Sequence, residues 1–364
     1  MKNEFAVALP HLKKLLPRFR KARVAVLGDL MLDRYLWGNA SRLSPEAAVP
    51  VVDFVSQTDC LGGAGNVAAN LAALGARVRA FGVVGGRKPA RSKLQDDEAG
   101  SALRACFREA GIVDGGVLPV LHRLTTVKTR VIARHQQIVR IDHERRDPLA
   151  PDIEEKLFRR LLASLKSFDA LILSDYDKGL VTDAFAARVL HACHEFNVPV
   201  FVKPKTSRLF AYHGARAIVC NTKEAGFYVT RSLADDKSIE EAGRALLAHF
   251  GCAAVVITRG EKGLRVFEES SPESLNIPAT SFEITYARVG QPGIERGATG
   301  RQVFDVTGAG DTVLSVLSLA VAAGGSLADA AFLANVAAGV VVGKLGTATV
   351  SPGELLAALE ETRL

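Results

Sequence analysis

From Arg23 to Thr258 the chain keeps returning to one pattern: a short run of apolar residues, a turn, then a longer stretch whose apolar side chains recur at helical spacing. Strands are expected at Arg23–Gly28, Arg77–Val84, Ala170–Ser174, Val198–Val202, Ala217–Cys220 and Ala253–Thr258. The intervening helices are expected at Ala64–Leu74, Glu98–Ala110, 152–167, 182–196 and 237–250, with two more at about 309–323 and 326–343. Apolar strands that alternate with helices fit a sheet covered on both faces, so the expected fold class is α/β with a mainly parallel central sheet flanked by helices. The 364 residues, 48% of them hydrophobic, can fill one large core, and no internal repeat divides them.

Two segments depart from this rhythm. Residues 34–55 end in the proline-marked run Val49–Val55, and residues 124–142 alternate as Thr126-Val-Lys-Thr-Arg-Val-Ile-Ala and Ile138-Val-Arg-Ile-Asp. Both predict antiparallel strands set apart from the main sheet, a small β lid inserted in a single domain over 1–364. Residues 4–22 form an amphipathic lead-in. Gly85–Asp97 predicts a polar, basic loop, and the Gly/Pro/Ser/Thr-rich stretch 269–302 a second one, with a short strand near Phe282–Arg288.

Several function classes are disfavoured. The apolar stretch Phe332–Gly343 is broken by small residues and too short for a membrane span, and no apolar leader is visible, so a cytoplasmic protein is expected. Cys60, Cys106, Cys193, Cys220 and Cys252 are scattered without a C-x-x-C pair, which argues against a disulfide framework or zinc site. His191 and His194 around Cys193 have poor ligand spacing for one helical face. Forty-six Lys and Arg against 39 Asp and Glu give a net charge of +7, yet aromatics are only 6% and interleave with no basic block. Nucleic acid is therefore not an expected partner, whereas anionic small substrates fit.

Chemistry concentrates at Phe304-Asp-Val-Thr-Gly-Ala-Gly-Asp-Thr312. The turn Gly308-Ala309-Gly310 can aim backbone N–H groups at an anion, and the helix that follows adds its positive end. Asp311 then either caps that helix or lies beside the anion hole, where a carboxylate can accept a proton from a hydroxyl attacking phosphorus. Asp29 and Asp33, at the exit of the first strand, either close a turn or accept from the vicinal hydroxyls of a polyol. Gly63-x-Gly65-x-x-Ala68 has the spacing of a dinucleotide fingerprint, but Gln57–Cys60 does not read as a strand and no acidic residue follows about 20 positions on. No P-loop sequence occurs.

The stretch Asp305–Asp311 resembles the signature of the ribokinase-like carbohydrate kinases, and Leu61-Gly-Gly-Ala-Gly-Asn66 and Asn221-Thr-Lys-Glu224 resemble two more elements of that family, in the same order. The resemblance implies an ATP-dependent enzyme with Asp311 as base and Gly308, Ala309 and Gly310 as the anion hole. It places Asn221 and Glu224 near Mg²⁺ and the ATP phosphates, with Glu224 acting through water, and Thr258, Arg259, Gly260 and Gly263 at the nucleotide. Asn335 would approach the adenine. Gly62 and Gly63 would let a sugar near the backbone, with Asn66 donating to its hydroxyls.

One branch is resembled in particular, the D-glycero-D-manno-heptose 7-phosphate kinases of ADP-heptose synthesis. The matching runs are Gly28–Tyr35, Trp37–Asn39, Arg42–Val52, Lys128–Arg130, Gln136–Asp142, Leu173–Gly179 and Gly339–Thr347. They imply a sugar-phosphate site with Gln136 and Asp142 at the lid. Arg130 and Arg140 are candidates to clamp the phosphate and Lys178 to contact it, and each could instead be an ordinary surface residue. Two positions depart from the branch: Lys203-Pro-Lys205 stands where Asp-Pro-Lys is usual, and Cys220-Asn221 where Pro-Asn is usual. Lys205 remains a phosphate cation, while Lys203 reverses a charge beside the expected phosphates or metal. Insertions around 86–95 and 281–302 have no counterpart in the branch. With no His-x-Gly-His nucleotidyltransferase segment, a stand-alone kinase is expected, and the exposed strand edges of a small lid predict a homodimer formed through it. The alternatives are a kinase for another sugar phosphate, such as a ketohexose phosphate, and a non-catalytic sugar-phosphate sensor.

Overall fold

The computed structural model describes residues 10–89, 93–134, 136–205, 212–280, 306–344 and 346–362. Its first strand shows why the fold forms. β1 (Arg23–Gly28) is buried from its second residue onward, and successive side chains enter opposite cores. Val24 and Val26 join Val67, Leu71, Leu314 and Leu317 on one face, while Ala25 and Leu27 join Leu157, Phe185 and Val189 on the other. A strand buried on both sides can afford no polar alternation, which is why these segments read as apolar runs.

The large sheet has ten strands. Besides β1 it contains β4 (Arg77–Arg87), β5 (Gln95–Asp96), β6 (Val113–Leu121), β9 (Ala170–Ser174), β10 (Val200–Lys203), β11 (Ala217–Asn221), β12 (Ala254–Thr258), β13 (Leu264–Glu268) and β14 (Leu275–Ile277). The order is β14-β13-β12-β11-β10-β9-β1-β4-β5, with β6 also paired to β4. From β6 through β4 and β1 to β12 the pairing is parallel, and β5, β13 and β14 close the sheet antiparallel. Helices Ala64–Ala73, Ala309–Ala322, Leu327–Val341 and Pro352–Glu361 cover one face, and Pro151–Leu162, Asp183–Glu195 and Asp236–Phe250 cover the other.

The order in which strands are added reverses about β1: β4 follows on one side, and β9 to β12 are laid down on the other. The switch point therefore lies between β1 and β9, where open parallel sheets place their ligands beyond the carboxyl ends of the strands. The lid rises from this point. One residue, Asp29, separates β1 from β2 (Leu30–Leu43), which with β3 (Pro50–Gly63), β7 (Thr126–Ala133) and β8 (Gln136–His143) forms a four-stranded sheet ordered β3-β2-β7-β8.

Several expectations need correction. The lid strands are longer than the sequence suggested, and Gln57–Cys60 lies inside β3 rather than outside any strand. The dinucleotide reading still fails, because β3 pairs with β2 in the lid and not with β4 in a parallel βαβ unit. Part of the expected loop Gly85–Asp97 is strand, since β4 runs to Arg87 and pairs with β5. β6, β13 and β14 were not foreseen. The insertion 281–302, the strand near Phe282–Arg288 and the motif residues Phe304 and Asp305 lie outside the described residues, as do 90–92 of the first insertion. All five cysteines are free thiols, and no helix among the described residues is long and apolar enough to cross a membrane.

Candidate active site

Asp311 sits in the first turn of helix Ala309–Ala322 and is only 5% exposed. Gly308 caps that helix at φ 84°, a left-handed conformation that suits glycine, and a Cβ there would stand 3.0 Å from Asn66 Nδ2. Ala309 N–H turns back to Val306 O at 3.3 Å, and Asp311 N–H bonds to Gly308 O at 2.9 Å. Of the three turn residues, the N–H groups of Gly308 and Gly310 are thus the better candidates to face an anion.

Three side chains from three other elements converge on the Asp311 carboxylate. Asn66 Nδ2 donates to Oδ2 at 2.9 Å, while Tyr176 OH at 2.5 Å and Lys203 Nζ at 2.6 Å both donate to Oδ1. Asn66 is itself held: Asn70 Nδ2 donates to its backbone carbonyl at 2.9 Å, and Thr312 Oγ1 donates to Asn70 Oδ1 at 3.0 Å. This chain of bonds stitches helix Ala64–Ala73 to helix Ala309–Ala322. Burial, then the adjacent Asp311 charge, push the Tyr176 phenol far above its ordinary range, so it remains a donor. For Lys203 burial works against the charge, but Asp311 and Tyr176 outweigh it and raise the ammonium above its usual value.

The sequence placed sugar contacts at Asp29 and Asp33, and the structure separates them. The Asp29 carboxylate turns to the loop after β9, accepting from the backbone N–H groups of Tyr176 (2.8 Å), Lys178 (3.2 Å) and Leu180 (3.4 Å). Burial and the nearby Asp175 charge still lift its carboxyl to about 6 against those three bonds. Asp29 is thus a buttress of the loop that delivers Tyr176. Asp33 instead faces the lid, where its Oδ1 accepts from Arg130 Nη1 at 2.8 Å, and burial lifts its carboxyl above the usual range despite that partner. Gly62 makes room for it, since a Cβ at that position would lie 2.7 Å from Asp33 Oδ2. Gly63 caps helix Ala64–Ala73 at φ 56°.

Pairing registers put the lid charges in two rows on one face, Asp33–Lys128–Asp142 and Tyr35–Arg130–Arg140. Arg130 also lies 5.3 Å from the Tyr35 ring. The cations have carboxylate partners already: Arg140 and Lys128 bond to Asp142, each at 2.9 Å, and Lys178 Nζ bonds to Glu144 at 2.8 Å. Burial opposes the Glu144 charge, but Lys178, Arg146 and Lys128 outweigh it and hold the carboxyl down at about 2. Lys128, Arg130, Arg140, Arg146 and Lys178 outnumber Asp33, Asp142 and Glu144, so the cluster keeps a positive excess. Gln136, opposite Ala133 at the outer end of the lid, is exposed.

Beyond β11, Asn221 and Glu224 form a capping box on the short helix Thr222–Tyr228: Glu224 N–H bonds to Asn221 Oδ1 at 2.9 Å, and Asn221 N–H to Glu224 Oε2 at 2.8 Å. Among the described residues no group of three or more His, Cys, Asp or Glu side chains gathers to hold a metal. A single carboxylate of this kind suits a hydrated hard cation that arrives on the nucleotide phosphates and is approached through water. Lys205 follows β10, and its carbonyl accepts from Tyr228 OH at 2.9 Å. Thr258 ends β12, with Gly260 and Gly263 in the turn beyond it, both at positive φ. Arg259 is drawn to Asp236 and Asn276 instead of toward β11. Asn335 donates to Pro278 O at 2.9 Å, so it holds the segment after β14.

Two members of the central constellation escaped the sequence reading. Tyr176 lies within the run Leu173–Gly179, yet a tyrosine in a turn carries no signal of what its hydroxyl will meet. Lys203 stood out only as a reversed charge, and nothing in the sequence paired it with a residue 108 positions away.

A buried carboxylate beside a glycine turn and a helix start, at the switch point of a parallel sheet and under a cationic lid, defines a phosphotransferase for a small polar acceptor. Comparison with known proteins agrees. The family model described as pfkB family carbohydrate kinase matches residues 21–353. The chain belongs to that family, ATP-dependent enzymes that phosphorylate carbohydrates. It is 43% identical over 346 residues to the bifunctional protein HldE of Geotalea uraniireducens, covering 95% of this chain and 64% of the relative. To the HldE of Geobacter sulfurreducens it is 45% identical over 334 residues, covering 92% and 62%. The chain therefore spans less than two thirds of the length of these relatives. Among solved structures, ribokinase of Arabidopsis thaliana, complexed with ribose and ATP, superposes with a TM-score of 0.67 at 18% identity, over 93% of this chain and 98% of that one. Phosphofructokinase-2 of Escherichia coli, with substrates and products, reaches 0.69 at 17% identity, over 94% and 99%. At such identities these two establish the ribokinase-like fold.

Proposed function

We propose that the chain transfers the γ-phosphoryl group of ATP to the anomeric hydroxyl of D-glycero-D-manno-heptose 7-phosphate, giving the 1,7-bisphosphate. The observation that carries this reading is the Asp311 carboxylate, buried and oriented by Asn66, Tyr176 and Lys203, beneath a lid with excess positive charge. Oδ1 already receives two donors and Oδ2 one, so Oδ2 is the atom that accepts the proton from the sugar hydroxyl. The sugar oxygen then bonds to the γ-phosphorus, the bond to the bridging oxygen of the β-phosphate breaks, and ADP leaves with that electron pair. Gly308 and Gly310 N–H groups face the phosphoryl oxygens, Asp33 accepts from a sugar hydroxyl, and the lid cations attract the 7-phosphate. Mg²⁺, when bound with ATP near Glu224, neutralises phosphate charge.

The lid also supports a homodimer. Its face away from the Asp33 row carries Ile141 and Val139, 56% and 46% exposed, and such a face suits a second copy of the chain.

Substrate choice is tested by ADP release from Mg-ATP with a panel of neutral and phosphorylated heptoses and ketohexoses. The heptose 7-phosphate is expected to give the highest kcat/KM, with the unphosphorylated heptose at least about 100-fold lower, the worth of one charge-assisted phosphate contact. Preference for a ketohexose phosphate would sink the heptose assignment, and turnover with no sugar would sink the kinase assignment.

A further inference from the structure

The residue that departs from the heptose-kinase pattern occupies the centre of the site. Lys203 ends β10, between β9, whose loop brings Tyr176, and β11, which ends at Asn221. Its backbone is pinned there: Lys203 lies opposite Ser174 in the ladder, and its carbonyl accepts from Asp175 N–H at 3.3 Å. The ammonium reaches Asp311 Oδ1 at 2.6 Å, stands 3.4 Å from Tyr176 OH and lies 5.2 Å from the Tyr176 ring centroid. It also borders the glycine turn, for a Cβ on Gly310 would lie 3.4 Å from Nζ and 3.7 Å from Cε. The charge of Glu224 adds, after those of Asp311 and Tyr176, to what keeps the ammonium protonated. A phosphoryl group held at the glycine turn and aimed at an acceptor beside Asp311 would therefore come within reach of the Lys203 ammonium.

The geometry points to Lys203 as a catalytic residue this chain adds to the kinase site: a built-in cation, held by Asp311 at rest, that turns to the transferring phosphoryl group. The inference rests on the phosphotransfer reading above and deepens it. Burying an ammonium is costly unless a counter-charge meets it, and Asp311 is that counter-charge. As the sugar O–H bond breaks and its proton passes to Asp311 Oδ2, the carboxylate is neutralised and its hold on Lys203 weakens. The oxygen–phosphorus bond forms while the bond to ADP breaks, and at that stage charge spreads over three phosphoryl oxygens. The ammonium loses its first anion as the second gathers charge beside it. Binding that strengthens only in the transition state raises kcat rather than lowering KM. An aspartate at this position, usual in the branch the chain resembles, would present a negative charge to those oxygens where Lys203 presents a positive one.

The test compares the parent with Lys203→Met and Lys203→Arg, measuring kcat, KM for both substrates, melting temperature, and the affinity for MgADP with and without aluminium fluoride, a mimic of the transferring phosphoryl group. Removing the charge should lower kcat by about 100-fold and weaken the aluminium fluoride complex by a similar factor, while MgADP alone binds within about threefold of the parent. Arginine should keep kcat within about tenfold, because it restores the charge with a different reach. If Lys203→Met does not fold, Lys203→Gln, uncharged but able to donate to Asp311, carries the same comparison. Values of kcat and aluminium fluoride affinity within about threefold of an active parent would overturn the inference and leave Lys203 as a packing partner of Asp311. Loss of MgADP binding together with early melting would overturn it as well. A parent that turns over no sugar would instead fail the phosphotransfer reading on which it stands.

Discussion

The Asp29 carboxylate, directly after β1, is tied to the backbone of the loop that carries Tyr176. Its position after β1 suggested a hydroxyl acceptor, but the three N–H groups of the Tyr176–Leu180 loop reach it first. The consequence is measurable. The folded chain holds the Asp29 proton up to a pH of about 6, whereas an unfolded chain releases it at about 4. Between those values the folded state binds more protons, so the stability contributed by the protonated group is full below pH 4 and is lost as pH rises through 6. Asn cannot ionise. The unfolding free energy of Asp29→Asn relative to the parent should therefore shift in favour of Asn by about 2–3 kcal/mol between pH 4 and pH 7, read from urea titrations. A difference that stays constant with pH would show that the Asp29 carboxyl titrates alike in the folded and unfolded chain. The helix start that carries Gly308, Gly310 and Asp311 was legible because a glycine turn precedes an apolar helical run. Tyr176 and Lys203 were not, because their value lies in what the topology brings opposite them.

At the scale of elements, the parallel strands of the main sheet other than β6 were read to within about three residues, since burial on both faces leaves a continuous apolar run. Ala170–Ser174 and Arg23–Gly28 have the bounds expected of them. The lid was found but drawn too short. β2 and β3 are 14 residues each, and much of β3 is exposed and polar, so the apolar periodicity that marks a half-buried strand is faint. β6 was missed because Gly115, Gly116 and Pro119 read as turn residues, although its partner β4 already fixes the edge it extends. The capping box of Asn221 and Glu224 could have been read from an Asn followed three residues later by Glu, a helix start as well as a family element. The lid carries its own prediction. Ile141→Glu places a charge on the outward face without touching the Asp33–Arg130 face, and should convert a dimer to a monomer in sedimentation at micromolar concentration. A parent that is already monomeric, or a variant that stays dimeric, would remove the lid as the interface.

The whole molecule joins two surfaces at one seam. The ends of β10, β11 and β12 in the main sheet carry the residues proposed for the nucleotide, and the lid carries those proposed for the sugar. β1 passes into β2 through Asp29 alone, so the two sheets share an anchor where the reacting groups must meet. Helix Ala309–Ala322 packs against the sheet below and is bonded through Thr312 and Asn70 to the helix that follows the lid. That arrangement fixes Asp311 before any substrate arrives and removes most of the cost of orienting a base. As the proposed base, Asp311 should act on the chemical step and not on binding. Single-turnover phosphoryl transfer by Asp311→Asn, measured alongside equilibrium binding of Mg-ATP and the sugar phosphate, tests it directly. Transfer should slow by about 1,000-fold, with both affinities within about threefold of the parent. Transfer at the parental rate would contradict it.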